Sequence, residues 1–464
     1  MKVGFIAMSG VRAYNEELTQ IGLTLPGFVE RSQVIASLPS LSLLTLAALT
    51  PPNIEVEYRE IIDLRSDPGL PNGYDLVAIS SFSAQIYEAY QVADEYCRRG
   101  IPVVLGGLHV SSLPEEAKTH CTSIVVGEGE LMWGRVLADF VAGKLQNYYT
   151  ASPEDSFNLA EAPIPRYELL DVERYNRLTV QTSRGCPHRC DFCASSILLT
   201  PKYKVKPLEQ VIAEIQRIKT IWNHPFIEFA DDNSFVIRSH YKRLLHALRE
   251  ENVHWFTEAD ISIAEDEELL HLMRESGCRQ VLIGLESPTK RGLDGVEQRR
   301  NWKLRKLPDY ESAIRTIQEH GITVDGCFIL GLDGDGEGIF DRVYDFVERT
   351  GLYEVQLTVL TPFPGTPLYR RLKQEGRLLE DQAWHKCTLF DVNYVPKQMS
   401  VERLERGLVE LSRRIYDSSF IRDRRRRFFK MLRRSGVGWL QKMEEGWGDE
   451  YRADQEVVCD RRTV

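Results

Sequence analysis

The chain has 464 residues, of which 43% are apolar and 27% charged, and its formal net charge is −10. This composition is typical of a globular protein of two or three domains, and the acidic balance argues against nucleic-acid binding, which normally leaves a basic footprint. No apolar stretch approaches the ~20 residues that span a bilayer, and the opening MKVGFIAMSG has too short an apolar run for a signal peptide. We therefore expect a cytoplasmic protein whose thiols stay reduced.

Residues 1–149 alternate short apolar segments with helical ones. KVGFIAM, IEVEYREI, DLVAISSF, IPVVLGG and SIVVGEGE are rich in Val and Ile and predict strands. Between two of them, AQIYEAYQVADEYC places Ile86, Tyr90 and Cys97 on one helical face. Strand–helix alternation with short connections predicts an α/β, doubly wound, flavodoxin-like domain. The stretch 150–172 has Pro, Ser and acidic residues without periodicity, which predicts a linker.

A second alternation begins near Leu178. LTVQTSRG, FIEFADD, HWFTEAD, RQVLIGLES, TVDGCFILGL and YEVQLTVLTPF predict six strands, and helical segments separate them. Six strands with crossover helices predict a full or partial (β/α)6 barrel over residues 173–375, with its functional face at the carboxyl ends of the strands. Residues 376–464 become helical and Arg-rich and end in a polar stretch, which predicts a smaller helical C-terminal region with a frayed tail.

Three cysteines lie within TSRGCPHRCDFCASS, directly after the first strand of the predicted barrel. Cys186, Cys190 and Cys193 can converge on one iron–sulfur cluster, because thiolate is its usual ligand, and three ligands leave a fourth iron open. A structural zinc site would need a fourth ligand, which His188 could offer, and a redox dithiol is a further alternative. The other cysteines lie singly, and those in apolar surroundings predict small core residues: Cys97, Cys121, Cys278, Cys327 and Cys387, with Cys459 in the tail.

CPHRCDFC resembles the three-cysteine signature of the radical S-adenosylmethionine superfamily, with an aromatic residue just before the last cysteine. The resemblance implies that the three cysteines hold a four-iron, four-sulfur cluster, whose open iron chelates S-adenosylmethionine and cleaves it to a 5′-deoxyadenosyl radical. FIEFADDNSF and IGLES end the strands where this family contacts S-adenosylmethionine, and GCFILGLDGD resembles its fifth-strand motif beside the adenine. The implied S-adenosylmethionine-binding residues are Phe192, Asp231, Asp232, Asn233 and Glu286.

Two alternatives apply to these polar residues. Asp231, Asp232 and Asn233 are also what a capped strand-to-helix turn would contain. Glu286 is also compatible with a solvated carboxylate at a strand end.

The first domain resembles the cobalamin-binding domain that precedes the barrel in one large subclass of this superfamily. Its predicted strands end in SSFSAQ, GGLHVSSLPEEA and GEGE, and no G-x-G-x-x-G follows the first strand, so a dinucleotide site is unsupported. The resemblance implies cobalamin contacts at Ser81, Ser83, Gly106, Gly107, Gly127 and Glu128.

The axial cobalt ligand is a separate expectation. The Asp-x-His-x-x-Gly box of other cobalamin modules is absent, and neither His109 nor His120 fits it. We therefore expect base-off cobalamin with no protein His ligand. The alternative is a degenerate domain that acts only as a scaffold.

After the barrel, PFPGTPLYRRLKQEGRLL and DVNYVPKQMS resemble the C-terminal part of the hopanoid-methylase-like branch. The resemblance implies a cobalamin-dependent C-methyltransferase that acts on an unactivated carbon by radical hydrogen abstraction and methyl transfer from methylcobalamin. Because the cofactors would carry the bond chemistry, the sequence identifies no catalytic side chain. The alternatives are a cobalamin-dependent cyclase or rearrangement enzyme, and a cobalamin- or redox-sensing binding protein.

The implied partners follow from that chemistry. We expect a small-molecule or lipid substrate and an external electron donor such as flavodoxin or ferredoxin. IRDRRRRFFKMLRRS predicts either contact with an anionic membrane surface or a solvated helix face.

Overall fold

The structure, a computed structural model, describes residues 1–21, 38–67, 69–152, 154–195 and 202–434. Two six-stranded sheets organise these residues, and in both of them neighbouring strands run parallel. Parallel sheets are covered by helices on their faces, so their strands are buried runs of apolar side chains. No helix in the described part of the chain is long and apolar enough to cross a membrane.

The first sheet has the strand order β2-β1-β3-β4-β5-β6. Its strands are β1 (Lys2–Met8), β2 (Glu55–Ile61), β3 (Leu76–Ser81), β4 (Val103–Gly106), β5 (Ser123–Val126) and β6 (Tyr148–Thr150). The accompanying helices are α1 (Glu16–Ile21), α2 (Leu41–Leu49), α3 (Ile86–Arg98), α4 (Leu108–Ser112), α5 (Pro114–Lys118) and α6 (Gly129–Val141). Because β1 lies between β2 and β3, the order reverses beside β1, as in flavodoxin-like folds. The doubly wound prediction is confirmed.

Helix α3 corrects one detail of the sequence interpretation. Ile86 and Tyr90 are buried as predicted, but Cys97 is exposed. In the last turn the side chain that faces the sheet is Tyr96, which is fully buried. Either the third or the fourth residue after buried Ala93 could continue the buried face of the helix. In the structure it is the third, Tyr96, and the fourth, Cys97, faces solvent.

The second sheet has the order β7-β10-β11-β12-β13-β14, which follows the chain. Its strands are β7 (Leu178–Val180), β10 (Phe226–Ser234), β11 (His254–Ala259), β12 (Cys278–Glu286), β13 (Thr323–Leu330) and β14 (Glu354–Val359). Its helices are α7 (Leu208–Lys219), α8 (Arg238–Leu248), α9 (Glu267–Glu275), α10 (Lys290–Leu293), α11 (Trp302–Lys306), α12 (Tyr310–Glu319) and α13 (Ile339–Thr350). With β7 and β14 as its two edges, the sheet is the partial β/α barrel that the alternation predicts.

The predicted first barrel strand, LTVQTSRG, is broken. Strand β7 ends at Val180, and a two-residue strand β8 (Ser183–Arg184) pairs antiparallel with β9 (Lys204–Val205). The cysteine loop directly follows β8, and β9 lies beyond the loop in the chain.

The C-terminal region is helical only in part. Helix α14 (Pro367–Gln374) is followed by an irregular segment, and then by α15 (Val401–Ile415) and α16 (Ser418–Arg434). The irregular segment packs Trp384 into the core of the first domain. In the Arg-rich helix α16, Arg424 is buried and donates to the carbonyls of Leu352 and Ile415. The predicted polar tail and Cys459 lie outside the described residues, and the domain boundaries stay a prediction.

Candidate functional site

The cysteine loop begins directly after β8, beside the carboxyl end of β10. Gly185, with a φ of 96°, turns the chain there, and its N–H donates to Asp232 Oδ2 at 2.7 Å. Cys190 is 6% exposed, and Cys186 and Cys193 are half-buried. Burial raises the pKa of the Cys186 thiol to about 11, although the N–H of His188 and the amide of Asn233 oppose that rise. Binding of a metal cluster to such thiols must release their protons.

The spacing of the three thiols distinguishes between kinds of metal site. Among the described residues, the one group of three or more ligand atoms within 4.8 Å of one another contains no cysteine. At least two of the three sulfurs therefore lie more than 4.8 Å apart, farther than two ligands of one zinc ion normally stand. A cluster that presents a separate iron to each thiolate needs this wider spacing, so the donor set fits an iron–sulfur cluster.

Asp231 anchors the chain that leads into the loop. Its Oδ1 accepts the N–H groups of Thr182 and Ser183 at 2.8 Å each. Its Oδ2 accepts the hydroxyls of Thr182, Ser234 and Tyr241. The carboxylate is 5% exposed, so these contacts occupy both of its oxygens. This predicted S-adenosylmethionine contact thus acts structurally, by holding the strand end before the loop.

Asn233 connects the loop to the next strand. Its Nδ2 donates to Asp260 Oδ2 at 3.0 Å and lies 3.7 Å from Cys186 Sγ, while its Oδ1 accepts the N–H of Asp260. His188 approaches the same Asp260 oxygen at 3.3 Å and packs on Trp302 with ring centroids 4.3 Å apart. Burial works to raise the pKa of Asp260, but hydrogen bonds from His188 and Asn233 hold it well below its usual range. Asp260 is therefore a charged anchor beneath the loop.

Two further anchors hold the other end of the loop. Glu297, 3% exposed, accepts the N–H groups of Arg189, Arg299 and Arg300, and Cys190 forms an isolated β-bridge with it. Asp191 accepts from Arg371 of α14 at 3.0 Å. Phe192 is half-buried against the barrel core. The loop is thus fixed from the barrel side and from the C-terminal region.

Glu286 lies at the end of β12 in a strained conformation. Its φ is 63°, and the register between β12 and β13 shifts there. A non-glycine residue in this region costs free energy and commonly marks a functional site. Lys303 donates to Glu286 Oε1 at 2.7 Å and to the carbonyl of Gly284 at 2.6 Å. Burial works to lower the pKa of Lys303, but the Glu286 carboxylate outweighs it and raises that pKa.

The interior of the barrel is acidic. Glu258 of β11 has an accessible side chain although barrel residues surround it. Burial raises its pKa to about 8, and the nearby carboxylates of Glu228 and Asp232 add to the rise. Cys327 of β13, predicted to be a core thiol, is half-buried and interacts with Glu258. Burial and the neighbouring carboxylates therefore favour the protonated form of Glu258.

The carboxyl edge of the first sheet is open at its glycines. A Cβ built on Gly127 (φ 88°) would meet nothing within 4 Å, and one on Gly106 would meet only Val125 at 3.8 Å. Gly107 (φ 105°) is similarly open apart from Ser80. Ser81 lies beside them, half-exposed at the end of β3. Backbone without side chains lets a broad, flat ligand approach closely, so this edge fits a corrin ring.

His109 is committed to protein contacts. It is 1% exposed, with Nδ1 3.0 Å from Ser83 Oγ and Nε2 3.2 Å from Glu116 Oε1. Trp384 of the C-terminal region donates to the other Glu116 oxygen at 3.0 Å. His120 stacks on Tyr90 at 4.1 Å. The arrangement agrees with the expectation that neither histidine binds cobalt, which stays a prediction.

A charged cluster joins the first domain to the cysteine loop. Arg184, two residues before Cys186, pairs with Glu128 and Glu130, both at 2.6 Å. Lys204 of β9, the strand paired with β8, forms an ion pair with Glu128 at 2.8 Å. The side chains are 10–15% exposed. Glu128, predicted to contact cobalamin, is therefore paired with Arg184 and Lys204, and these ion pairs hold the carboxyl edge of the first sheet against the cysteine loop.

Two family models match the chain. The radical SAM superfamily model matches residues 180–347, and a domain of unknown function (DUF4070) matches residues 366–448. The first match contains the cysteine loop and β10 to β13.

Curated relatives match most of the chain. Bacteriochlorophyllide d C-12(1)-methyltransferase of Chlorobaculum tepidum is 28% identical over 83% of this chain and 84% of its own length. Hopanoid C-2 methylase of Rhodopseudomonas palustris is 30% identical over 75% of this chain and 67% of its own length. Both relatives are methylating enzymes by name.

A solved structure has the same overall fold. The radical S-adenosylmethionine methyltransferase TsrM of Kitasatospora setae, with cobalamin and a [4Fe-4S] cluster bound, aligns with a TM-score of 0.60 and 16% identity. The alignment covers 81% of this chain and 75% of that one.

Several residues of the site have no signal in the sequence. His188 has a position within the signature, but Asp260, Glu258, Glu297 and Lys303 are isolated polar residues in ordinary contexts. Asp260 ends the predicted strand HWFTEAD and Glu258 lies within it, but the sequence alone does not show that Asp260 contacts His188 and Asn233 or that Glu258 lies near Glu228 and Asp232. Only the fold brings them to the loop and the barrel interior.

Proposed function

The chain belongs to the cobalamin-dependent branch of the radical S-adenosylmethionine superfamily, and we propose that it is a C-methyltransferase acting on an unactivated carbon. When bound, the cluster and S-adenosylmethionine supply hydrogen abstraction from such a carbon, and cobalamin supplies the methyl carrier. The observation that carries the proposal is the ion-pair network between Arg184 and Glu128, which joins the cysteine loop to the glycine-rich edge of the first sheet.

We propose that Cys186, Cys190 and Cys193 hold the cluster. Their anchoring supports this assignment, because Asn233 reaches Cys186 and Glu297 fixes the backbone at Cys190. Rigid support of this kind orients ligands and is expected to contribute to cluster affinity.

For S-adenosylmethionine, we propose contacts from Asp232, Asn233, Glu286 and Phe192. Asp232 and Glu286 lie at the carboxyl ends of their strands, beside the cysteine loop. Lys303 fixes the orientation of the Glu286 carboxylate. Asp231 is assigned a positioning role, since Thr182, Ser183 and Tyr241 already occupy its oxygens.

For cobalamin, we propose that Ser81, Gly106, Gly107 and Gly127 border the corrin, since this open edge admits a flat ligand. Ser83 contributes less directly, because its hydroxyl contacts His109. Cobalamin is proposed to bind base-off, since both nitrogens of His109 are engaged. Glu128 serves as the link to the barrel.

The substrate is a small molecule, and we propose that a lipid is among the candidates. A flavodoxin- or ferredoxin-type protein is proposed as the electron donor, and the cytoplasm as the compartment, since clustered reduced thiols need reducing conditions. For contact with an anionic membrane, helix α16 offers its remaining arginines, because Arg424 is buried and Arg425 pairs with Glu354 at 3.6 Å.

The test uses the reconstituted, cobalamin-loaded, reduced protein with methyl-labelled S-adenosylmethionine. The substrate source is the combined aqueous and lipid extract of a strain that lacks the gene. We expect label in one new carbon-methylated product and formation of 5′-deoxyadenosine. A new product without label, formed together with 5′-deoxyadenosine, would replace methylation with cyclisation or rearrangement. Absence of 5′-deoxyadenosine with every extract would favour a sensing protein.

A further inference from the structure

Outside the cysteine loop, one glutamate and two histidines lie close together on helices of the barrel. Glu267 and His271 belong to α9, and His320 directly follows α12. Each offers one ligand atom, and the three atoms lie within 4.8 Å of one another. Of all the described residues, this is the only group of three His, Cys, Asp or Glu side chains with that proximity.

Helix α9 presents two of the ligands on one face. Asp266 caps the helix by accepting the N–H of Leu269 at 3.0 Å, and it pairs with Lys242 at 3.0 Å. The helix therefore begins at a fixed residue, Glu267. Residues four apart on a helix lie on the same side, so Glu267 and His271 point in a common direction.

The third ligand has a defined tautomer. His320 Nδ1 lies 2.7 Å from the carbonyl oxygen of Thr316. A carbonyl can only accept, so Nδ1 carries the proton and Nε2 keeps its lone pair. A histidine whose other nitrogen donates to a backbone carbonyl is the arrangement that fixes metal ligands in proteins. His320 and His271 contact each other edge to face, with ring centroids 4.9 Å apart.

We propose that Glu267, His271 and His320 form a zinc-binding site that bridges α9 and α12. Two imidazoles and one carboxylate are a known three-ligand set for zinc, with water at the fourth position. Magnesium and calcium prefer all-oxygen ligands, so imidazole favours a transition metal. A triangle of this size is slightly wider than bonds of ~2.0–2.2 Å require, and rotation of the exposed Glu267 and His271 side chains closes the difference.

The site is independent of the proposed methyl transfer, because its residues lie outside the cofactor-binding elements. A zinc ion there connects helices that lie on either side of β12 in sequence, and a ligand that binds only the folded state stabilises it. Zinc therefore acts on the folding of the outer barrel, whatever the activity of the enzyme.

The experiment titrates Zn²⁺ into the cluster-loaded protein and measures zinc retained per chain, zinc affinity by chelator competition, and the unfolding midpoint. The variants are His271→Ala, His320→Ala and Glu267→Gln, and the matched control is His246→Ala, an exposed histidine of α8. Iron content is measured in parallel, so that zinc taken up by vacated cysteines is recognised.

We expect about one zinc per wild-type chain and a higher unfolding midpoint when zinc is bound. We expect zinc affinity to be weaker by ~10–100-fold or more in each histidine variant. Glu267→Gln weakens binding less, and His246→Ala binds as wild type does. Failure of the wild-type protein to retain zinc overturns the proposal, and so does equal affinity in the histidine variants.

Discussion

Arg184 donates to Glu128 Oε1 at 2.6 Å, and this contact joins the carboxyl end of β5 to β8, the short strand that directly precedes the cysteine loop. Glu130 and Lys204 complete a network of two cations and two carboxylates. Ion pairs this poorly exposed are screened little by salt. The network therefore fixes the separation between the glycine-rich edge of the first sheet and the cysteine loop.

Replacing Arg184 with Met should uncouple the two edges. The change leaves Glu130 without the cation that pairs with it. Removal of one partner from a buried ion pair lowers the free energy of unfolding by ~3–5 kcal/mol. We expect iron content and 5′-deoxyadenosine formation to remain while labelled product falls. Chemical unfolding and product analysis measure the two effects. Arg166→Met, at the more exposed pair with Glu168, is the control and should cost less than ~1 kcal/mol. Unchanged product formation in the Arg184 variant would contradict the coupling role.

His188→Phe tests whether the contact with Asp260 supports the cluster. Phenylalanine keeps the packing on the Trp302 ring but loses the 3.3 Å contact with the Asp260 carboxylate. Loss of such an outer contact typically weakens metal binding by ~10–100-fold. We expect iron to be lost to a chelator faster by a similar factor. His246→Phe should leave the rate unchanged, and an equal rate in both variants would remove His188 from the support of the loop.

Lys303→Met should destabilise the protein through Glu286. The carboxylate is 6% exposed, and Lys303 is the cation that pairs with it at 2.7 Å. An uncompensated buried charge costs ~3–5 kcal/mol. The double variant Lys303→Met with Glu286→Gln should recover most of that loss, because no buried charge remains. Anaerobic urea unfolding measures both variants. If the double variant is as unstable as Lys303→Met alone, the cost comes from lost packing and not from the charge.

Asp335 should make stability fall as the pH rises. Burial raises its pKa to about 7, opposed by the N–H groups of Leu332 and Gly331, and its Oδ1 has no hydrogen-bond partner among the described residues. A carboxyl group whose pKa is higher in the folded state binds its proton more tightly when the protein is folded. The free energy of unfolding therefore decreases as the pH rises from the unfolded-state pKa near 3.8 to the folded-state pKa of about 7.

Asp335→Asn removes that ionisation. The amide oxygen can still accept from Leu332 N, which lies 3.1 Å from the carboxylate. We expect a gain of roughly 1–4 kcal/mol at pH 8 and little gain at pH 4. Urea unfolding at the two pH values measures the difference. A gain of equal size at both would show that the carboxyl does not titrate as its environment indicates.

Periodicity and turn residues predicted both sheets, because buried parallel strands are continuous Val- and Ile-rich runs. The cysteine loop was equally visible, since its three cysteines lie within eight consecutive residues. Local patterns of this kind require no knowledge of tertiary contacts.

The support around the loop could not be predicted in the same way. His188 and Asp260 are 72 positions apart, and Arg184 and Glu128 are 56 apart. Asp231 was assigned to a cofactor because it ends a strand, yet five protein groups occupy it. Cys97 was assigned to the core from its helical spacing, but the larger Tyr96 takes the buried position. Such competition among neighbours is decided by packing.

The central claim is that three cysteines hold a cluster with one iron left open for S-adenosylmethionine. The most direct measurement is Mössbauer spectroscopy of the protein reconstituted anaerobically with ⁵⁷Fe, before and after S-adenosylmethionine is added. The account predicts about four irons per chain, with one iron site changing its signal on addition. Cys193→Ala should abolish the full cluster. A full cluster retained in that variant, or a spectrum that S-adenosylmethionine leaves unchanged, would contradict the account.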